Sequence, residues 1–93
     1  MKQAIWNGQV IAESDNTIVV EGNHYFPPAS IKKEFFKSSS ITSTCPWKGF
    51  ANYYDIDVNG SINQGAAWYY RTPSDKANEI KDHIAFWKGV EIK

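Results

Sequence analysis

The only cysteine of the chain, Cys45, lies in the segment STCPWKGFANYY at residues 43–54. A catalytic thiol needs a lowered pKa, which a histidine, a lysine or a helix N-terminus supplies. Lys48 could approach the sulfur if Pro46 and Trp47 turn the chain between them. Free cysteine is also one of the most frequently buried residue types. Three roles therefore stay open for Cys45: a buried structural residue, which this tendency favours, a position in a binding site, or a nucleophile.

Glu21 and His24 form a second pair of candidate catalytic residues, because a carboxylate beside an imidazole can do acid–base chemistry. Both lie in the segment EGNHYFPP, where a turn is expected and polar side chains are ordinary. The only other histidine is His83, so the chain offers no cluster of metal ligands. We predict no metal site, no cofactor and, from a single cysteine, no internal disulfide.

Aromatic residues make up 15% of the chain, with four Trp among them, which is more than a small core readily hides. Trp68 and Tyr70 would lie on one face of a strand, and Tyr69 and Arg71 on the other. Aromatic side chains with polar tips are typical of small-ligand sites, and an arginine offers a planar fork to a carboxylate or phosphate. An aromatic core is the alternative. The predicted ligand-binding residues are Cys45, Lys48, Tyr54, Trp68, Tyr70 and Arg71.

Charge, hydropathy and length indicate which partners and how many domains to expect. Ten basic and ten acidic residues cancel without a basic tract, so no nucleic-acid partner is predicted. No apolar run approaches the length of a signal peptide or a membrane span, so we expect no membrane association and a cytoplasmic location. A chain of 93 residues indicates one domain over residues 1–93.

Turn signals organise the chain into antiparallel strands. Asn7-Gly8 and Asn59-Gly60 each separate two apolar runs and predict hairpins. Gly65 predicts a bulge or break before the strand AAWYY. The hydroxyl-rich segment KSSSITST at residues 37–44 is typical of a surface loop.

Two helical segments are expected. Pro28 favours a short helical turn near residues 28–36, and residues 72–87 predict the one α-helix, with Ser74 as N-cap. Ala77, Ile80 and Ile84 would form its apolar stripe. The predicted fold class is α+β and mainly antiparallel β: two curved sheets or a small open barrel, with one α-helix in the C-terminal half.

Three stretches together resemble a small bacterial family named domain of unknown function 427: VEGNHYFPP (20–28), STCPWKGFANYY (43–54), and GAAWYY (65–70) followed by AFWKGV (85–90). The resemblance covers nearly the whole chain and implies no established activity, although the family is sometimes labelled nucleotidyltransferase-like. The residues that match its motifs are Glu21, Tyr25, Phe26, Pro27, Cys45, Lys48, Gly49, Tyr53 or Tyr54, Trp68 and Tyr70.

A nucleotidyltransferase needs carboxylates that hold Mg²⁺ and a group of residues that binds the phosphates. Asp55 and Asp57 share one strand face, but no third carboxylate accompanies them, and a wet outer sheet face explains both. The leading prediction is therefore a binding protein for a small polar or anionic ligand, or for a partner's extended segment, in an aromatic pocket. The alternatives are an enzyme, cysteine-dependent or nucleotidyl-transferring, and a homodimer whose interface the aromatic residues form.

Overall fold

The computed structural model describes residues 1–93 and contains nine strands and three short 3-10 helices. The strands are β1 (Lys2–Trp6), β2 (Gln9–Ser14), β3 (Ile18–Val20), β4 (Asn23–Tyr25), β5 (Phe36–Cys45), β6 (Gly49–Val58), β7 (Ser61–Tyr69), β8 (Ile84–Phe86) and β9 (Glu91–Ile92). Short 3-10 helices cover Pro28–Ser30, Lys33–Phe35 and Asp75–Ile80. None of these helices is long and apolar enough to cross a membrane.

All strand pairs are antiparallel, and they form three open sheets. The sheet orders are β2-β1-β9, β3-β4 and β5-β6-β7-β8. The mainly antiparallel β class is thus confirmed, while the expected pair of sheets or barrel is replaced by three sheets, none of them closed.

Asn7-Gly8 and Asn59-Gly60 both turn the chain as predicted. Their φ angles are 51° and 76° in the first pair and 53° and 85° in the second, the two positive values that a type I′ hairpin turn requires. Glu21-Gly22 joins β3 to β4 with similar values, 52° and 79°. Because glutamate seldom adopts a positive φ, no local signal placed a turn of this kind there.

The four-stranded sheet separates two apolar clusters. On one face, Ile56 and Phe86 pack with Ile11 and Ala12 of β2 in the larger core. On the other face, Trp68 and Tyr70 pack with a smaller set that includes Tyr25, Ala77 and Ile80. Reciprocal backbone hydrogen bonds of 2.8 Å between Phe26 and Ile84 fasten the β3-β4 hairpin to the edge strand β8.

The predicted C-terminal α-helix is wrong. Asp75–Ile80 is a six-residue 3-10 segment with a kink at Ala77, and Ile84 belongs to β8, where it pairs with Tyr69. Ser74 caps nothing, because its hydroxyl donates to the carbonyl of Trp47. A short helix is only marginally stable in water, and pairing Ile84 with a neighbouring strand is more favourable than extending such a helix to it. Ala77 and Ile80 are still buried, since a spacing of three residues also places them on one face of a 3-10 helix.

The surface loop predicted at residues 37–44 is also wrong, because these residues form most of β5. β5 is an edge strand whose side chains are mostly exposed, so its hydroxyl-rich sequence lacks the apolar alternation of a half-buried strand. The expected helical turn near residues 28–36 is present as two 3-10 segments, the first with Pro28 at its start. The bulge predicted at Gly65 is present as a register shift between β6 and β7.

Candidate functional site

A cavity of about 230 Å³ opens on the face of the central sheet that carries the smaller apolar cluster. We name it the Cys45 cavity. It is lined by Cys45, Lys48, Tyr53, Trp68, Tyr70 and Trp87.

The strand register brings the aromatic walls together. Tyr53 of β6 lies opposite Trp68 of β7, and Trp68 lies opposite the fully buried Ala85 of β8. Because side chains alternate along a strand, Trp87 emerges on the same side as Ala85. The centroids of the Trp68 and Trp87 rings are 6.1 Å apart at 86°, and those of Tyr53 and Trp68 are 6.4 Å apart. These three rings form most of the aromatic part of the cavity wall.

Lys48 enters the cavity from the connection between β5 and β6. Gly49 follows it with a φ of 116°, a conformation that L side chains rarely adopt, so a glycine is needed where the chain turns into β6. The Ser74 N–H donates to the carbonyl of Lys48 at 3.0 Å, and the Ser74 hydroxyl donates to that of Trp47. These bonds fix the backbone that carries Lys48.

The Lys48 ammonium group is surrounded by aromatic rings and one carboxylate. Only 6% of the residue is exposed, and its Nζ lies 5.5 Å from the ring centroid of Trp47, 5.6 Å from that of Tyr70 and 5.9 Å from that of Tyr25. Nζ also donates to Glu21 at the tip of the β3-β4 turn. A buried ammonium is tolerated when it has a charged partner and ring faces to contact.

Both members of this ion pair are held in their charged forms. Burial works against the Lys48 ammonium, but the hydrogen bond to Glu21 and the nearby Tyr25 outweigh it and raise the Lys48 pKa above its ordinary value. The hydrogen bond from Lys48 lowers the pKa of Glu21. The wall of the cavity therefore carries an ammonium donor whose charge is already balanced.

Tyr25 links the ion pair to the aromatic wall. Its hydroxyl oxygen accepts a hydrogen bond from Trp68 Nε1 at 3.2 Å and a longer one from Lys48 Nζ at 3.4 Å. The residue is completely buried, and its ring meets that of Trp68 edge to face at 6.3 Å and 87°. This contact fixes the orientation of the Trp68 indole.

Tyr70 is the polar side chain that the fold leaves without a partner. The residue is 4% exposed, and its hydroxyl makes no hydrogen bond within the chain. Every fully enclosed side-chain nitrogen or oxygen atom does have a partner, so the Tyr70 hydroxyl must reach the open space of the cavity. Burial raises the pKa of Tyr70 to about 12, although the nearby Lys48 works in the opposite direction. At neutral pH this hydroxyl is a donor aimed at whatever occupies the cavity.

The structure gathers four of the six residues predicted to bind a ligand and separates the other two. Cys45, Lys48, Trp68 and Tyr70 line the Cys45 cavity. Tyr54 and Arg71 line a second cavity, of about 450 Å³, that opens on the other face of the sheet. Successive side chains of an extended chain point to opposite faces of a sheet. Tyr54 and Arg71 directly follow Tyr53 and Tyr70 of the Cys45 cavity, so they lie on the other face.

The candidate acid–base pair is not assembled. Glu21 bonds Lys48, whereas Nδ1 of His24 shares a hydrogen bond of 2.9 Å with the Thr17 hydroxyl. Nδ1 of His83 bonds the carbonyl of Lys81 at 2.9 Å. Neither histidine lines the Cys45 cavity, so the thiol has no imidazole beside it.

The two aspartates of β6 have partners within the chain. Asp55 accepts from the N–H of Gly65 at 2.8 Å and so stabilises the bulge, while Asp57 accepts from Gly60 at 3.1 Å and pairs with Lys37 at 2.9 Å. No group of three or more His, Cys, Asp or Glu side chains is placed to hold a metal ion.

Sequence reasoning did not include Trp87 and Tyr25 among the site residues. Trp87 lies where a helix was expected to end, and only its spacing of two residues from Ala85 would have placed it beside Trp68 once β8 was recognised. Tyr25 reaches the site through the β3-β4 hairpin, whose docking on the sheet is a long-range contact without a local signal.

Fold and site define a mainly antiparallel β protein with an aromatic cavity that contains one buried lysine. The chain belongs to the family described as domain of unknown function (DUF427), whose sequence model matches residues 2–92. This match confirms the resemblance found from the motifs. No curated protein matches the sequence.

Proposed function

We propose that the Cys45 cavity binds a small molecule with one flat ring and a hydrogen-bond acceptor. The observation that carries the proposal is the hydroxyl of Tyr70, a residue that is only 4% exposed; this hydroxyl has no partner in the chain and opens into a cavity walled by indoles. A ligand acceptor that bonds it replaces cavity water, and such a hydrogen bond contributes about 0.5–1.5 kcal/mol net.

The donors in the cavity select the polar part of the ligand. An ammonium group has three N–H donors, and Lys48 directs two of them to Glu21 and Tyr25. The remaining donor and the Tyr70 hydroxyl fit a carbonyl or a carboxylate. Because Glu21 already balances the charge of Lys48, a neutral amide or a monoanion suits the site better than a polyphosphate.

The walls select the rest of the ligand. Trp68, Trp87 and Tyr53 offer ring faces and edges to a flat group, which favours stacked and edge-to-face contacts. The volume of about 230 Å³ lies below the roughly 300–1,000 Å³ of pockets for drug-sized ligands, so the site suits a single ring.

Binding is favoured over cysteine catalysis because neither His24 nor His83 lines the cavity to act as a base. The one basic residue beside Cys45, Lys48, already has its charge balanced by Glu21. Cys45 then serves as a half-buried, weakly polar part of the wall. The aromatic residues at the cavity also account for the excess of Trp and Tyr without a subunit interface.

Benzamide, benzoate and benzylamine test the proposal, since they share a ring and differ in the polar group. We expect benzamide and benzoate to shift the indole N–H signals of Trp68 and Trp87 in NMR spectra, with millimolar dissociation constants typical of fragments, and benzylamine to be rejected by the Lys48 ammonium. Tyr70→Phe should weaken benzamide binding, while Tyr54→Phe, the same change in the second cavity, should not. If neither indole responds to benzamide or benzoate, or if Tyr70→Phe has no effect, the proposal is wrong.

A further inference from the structure

The second cavity, here named the Arg71 groove, contains charged groups that the fold does not pair. It has a volume of about 450 Å³ and lies on the opposite face of the central sheet from the Cys45 cavity. Its lining residues are Pro28, Ala29, Ile31, Lys33, Tyr54, Tyr69, Arg71, Asp82 and Ile84. None of the three charged side chains, Lys33, Arg71 and Asp82, takes part in an ion pair.

Arg71 is held in place by an aromatic ring and not by a carboxylate. Its guanidinium lies 5.8 Å from the centroid of the Tyr69 ring and donates to the Tyr69 hydroxyl at 3.2 Å. Tyr69 is itself stacked on Tyr54, with centroids 4.8 Å apart and an angle of 25°. Arg71 is exposed, and a guanidinium has five N–H donors, so most of this planar fork stays free to bind a ligand. Such a group is suited to bind the two oxygens of a carboxylate or phosphate.

Asp82 gives the groove a second kind of polar group. It has a positive φ of 61°, and its backbone N–H donates to the carbonyl of Tyr70 at 2.9 Å, which fixes the backbone that carries the carboxylate. A carboxylate accepts hydrogen bonds but repels an anion, so it suits a hydroxyl or amino group of the same ligand.

We propose that the Arg71 groove binds a small metabolite that carries one oxyanion, at Arg71 and Lys33, and one hydroxyl or amino group, at Asp82. The apolar side chains of Ile31 and Ile84 contact its carbon skeleton. This site is separate from the Cys45 cavity and does not depend on the function proposed for it.

Four small probes separate the parts of the proposal: phosphoethanolamine, ethyl phosphate, ethylamine and β-alanine. We expect phosphoethanolamine to shift the Arg71 Nε–H and Tyr69 amide NMR signals saturably and to bind more tightly than ethyl phosphate, and ethylamine alone not to bind. β-Alanine, which has a carboxylate and an amine, distinguishes a carboxylate ligand from a phosphate ligand by its affinity relative to phosphoethanolamine.

Variants then assign the contacts. Arg71→Gln should weaken phosphoethanolamine binding by about tenfold or more, the loss expected for charged hydrogen bonds, and Lys33→Gln should weaken it less. Asp82→Asn keeps a side chain that tolerates a positive φ and should remove the advantage of phosphoethanolamine over ethyl phosphate. Lys76→Gln, at an exposed lysine outside both cavities, is the matched control. Unchanged affinity in Arg71→Gln, or equal affinity of the wild type for phosphoethanolamine and ethyl phosphate, overturns the proposal.

Discussion

The buried ammonium group of Lys48 is paired with the exposed carboxylate of Glu21, which lies at the tip of the β3-β4 turn. Glu21 has the positive φ of 52° that this turn requires, a conformation unfavourable for glutamate and favourable for glycine or asparagine. A glutamate at this position is explained by its carboxylate, which balances the only buried charged residue of the chain. The contact fastens the hairpin beside the Cys45 cavity and fixes the Lys48 ammonium group at the wall of that cavity.

Substitutions of Lys48 separate packing from charge. Lys48→Met keeps most of the side-chain volume among the rings of Tyr25, Trp47 and Tyr70 and leaves Glu21 hydrated. The free energy of unfolding, measured with urea, should therefore fall by no more than about 1 kcal/mol. Lys48→Ala creates a cavity among those rings and should lower the free energy of unfolding by about 2–3 kcal/mol. Both variants should lose benzamide binding. Equal destabilisation by Met and Ala would mean that the charge, and not the packing of the stem, holds this region.

Acid should weaken the fold through Glu21. Lys48 lowers the pKa of Glu21 in the folded protein below its ordinary value of 4.5. A lowered carboxyl pKa contributes stability that is present above pH 4.5 and is lost as the pH falls through the folded-state pKa. Glu21→Gln should therefore flatten the acid side of the stability profile, measured by urea unfolding at a series of pH values. Glu79→Gln, an exposed glutamate without an ion pair, is the control, and a profile unchanged by Glu21→Gln would contradict the pairing.

Alkali should weaken the fold through Tyr70. Burial raises its pKa from 10.0 to about 12, so the unfolded chain loses this proton before the folded protein does. The stability that depends on the neutral hydroxyl is complete below pH 10 and is lost as the pH rises through about 12. Tyr70→Phe should reduce the loss of stability at high pH. The contribution to that loss from the raised pKa of Lys48 should remain. The tyrosinate absorbance of the folded protein should also lack one late-titrating group in Tyr70→Phe, and the loss of a group that titrates near pH 10 instead would contradict the raised pKa of Tyr70.

The sequence predicts the hairpins well because their signals are local. Asn7-Gly8 and Asn59-Gly60 need only the tolerance of two adjacent residues for positive φ. The helix expected after Ser74 fails because Ile84 joins a strand, an outcome decided by its partner Tyr69 fifteen residues away. β5 was missed for a related reason, since an exposed edge strand carries no apolar alternation.

The candidate site was predictable where alternation alone decides it. Trp68 and Tyr70 were expected to share one face, and they do. Arg71 was expected on the opposite face and lies there, although it had been grouped with them as a ligand contact. The pairing of Glu21 with Lys48 joins two turns that are distant in the sequence, so no spacing rule could have found it.

Asp55 should behave as a structural residue of the bulge. Its carboxylate accepts from the Gly65 N–H, a role that an amide oxygen can fill, so Asp55→Asn should unfold at nearly the wild-type urea concentration. Asp55→Ala leaves this half-buried N–H without its acceptor and should cost about 1 kcal/mol. Addition of Mg²⁺ should change the stability of neither variant relative to the wild type. A magnesium-dependent stabilisation that Asp55→Asn removes would instead support the nucleotidyltransferase label.

The reactivity of Cys45 reports whether the cavity is open and what fills it. Because Cys45 is half-buried and lines the cavity, iodoacetamide should modify the folded protein, but more slowly than the unfolded chain. Trp87 is 48% exposed at the cavity wall, so Trp87→Ala should widen the entrance and increase the rate of modification of the half-buried thiol.

Benzamide should slow the same reaction in proportion to its occupancy of the cavity. The control is Ile62→Ala, which removes another exposed apolar side chain outside both cavities and should leave the rate unchanged. Modification that begins only on unfolding would mean that the thiol is sealed and that Tyr70 faces a closed void. Modification that benzamide does not slow would place any ligand away from Cys45, because a ring bound between Trp68 and Trp87 must occupy the space through which the reagent reaches the sulfur.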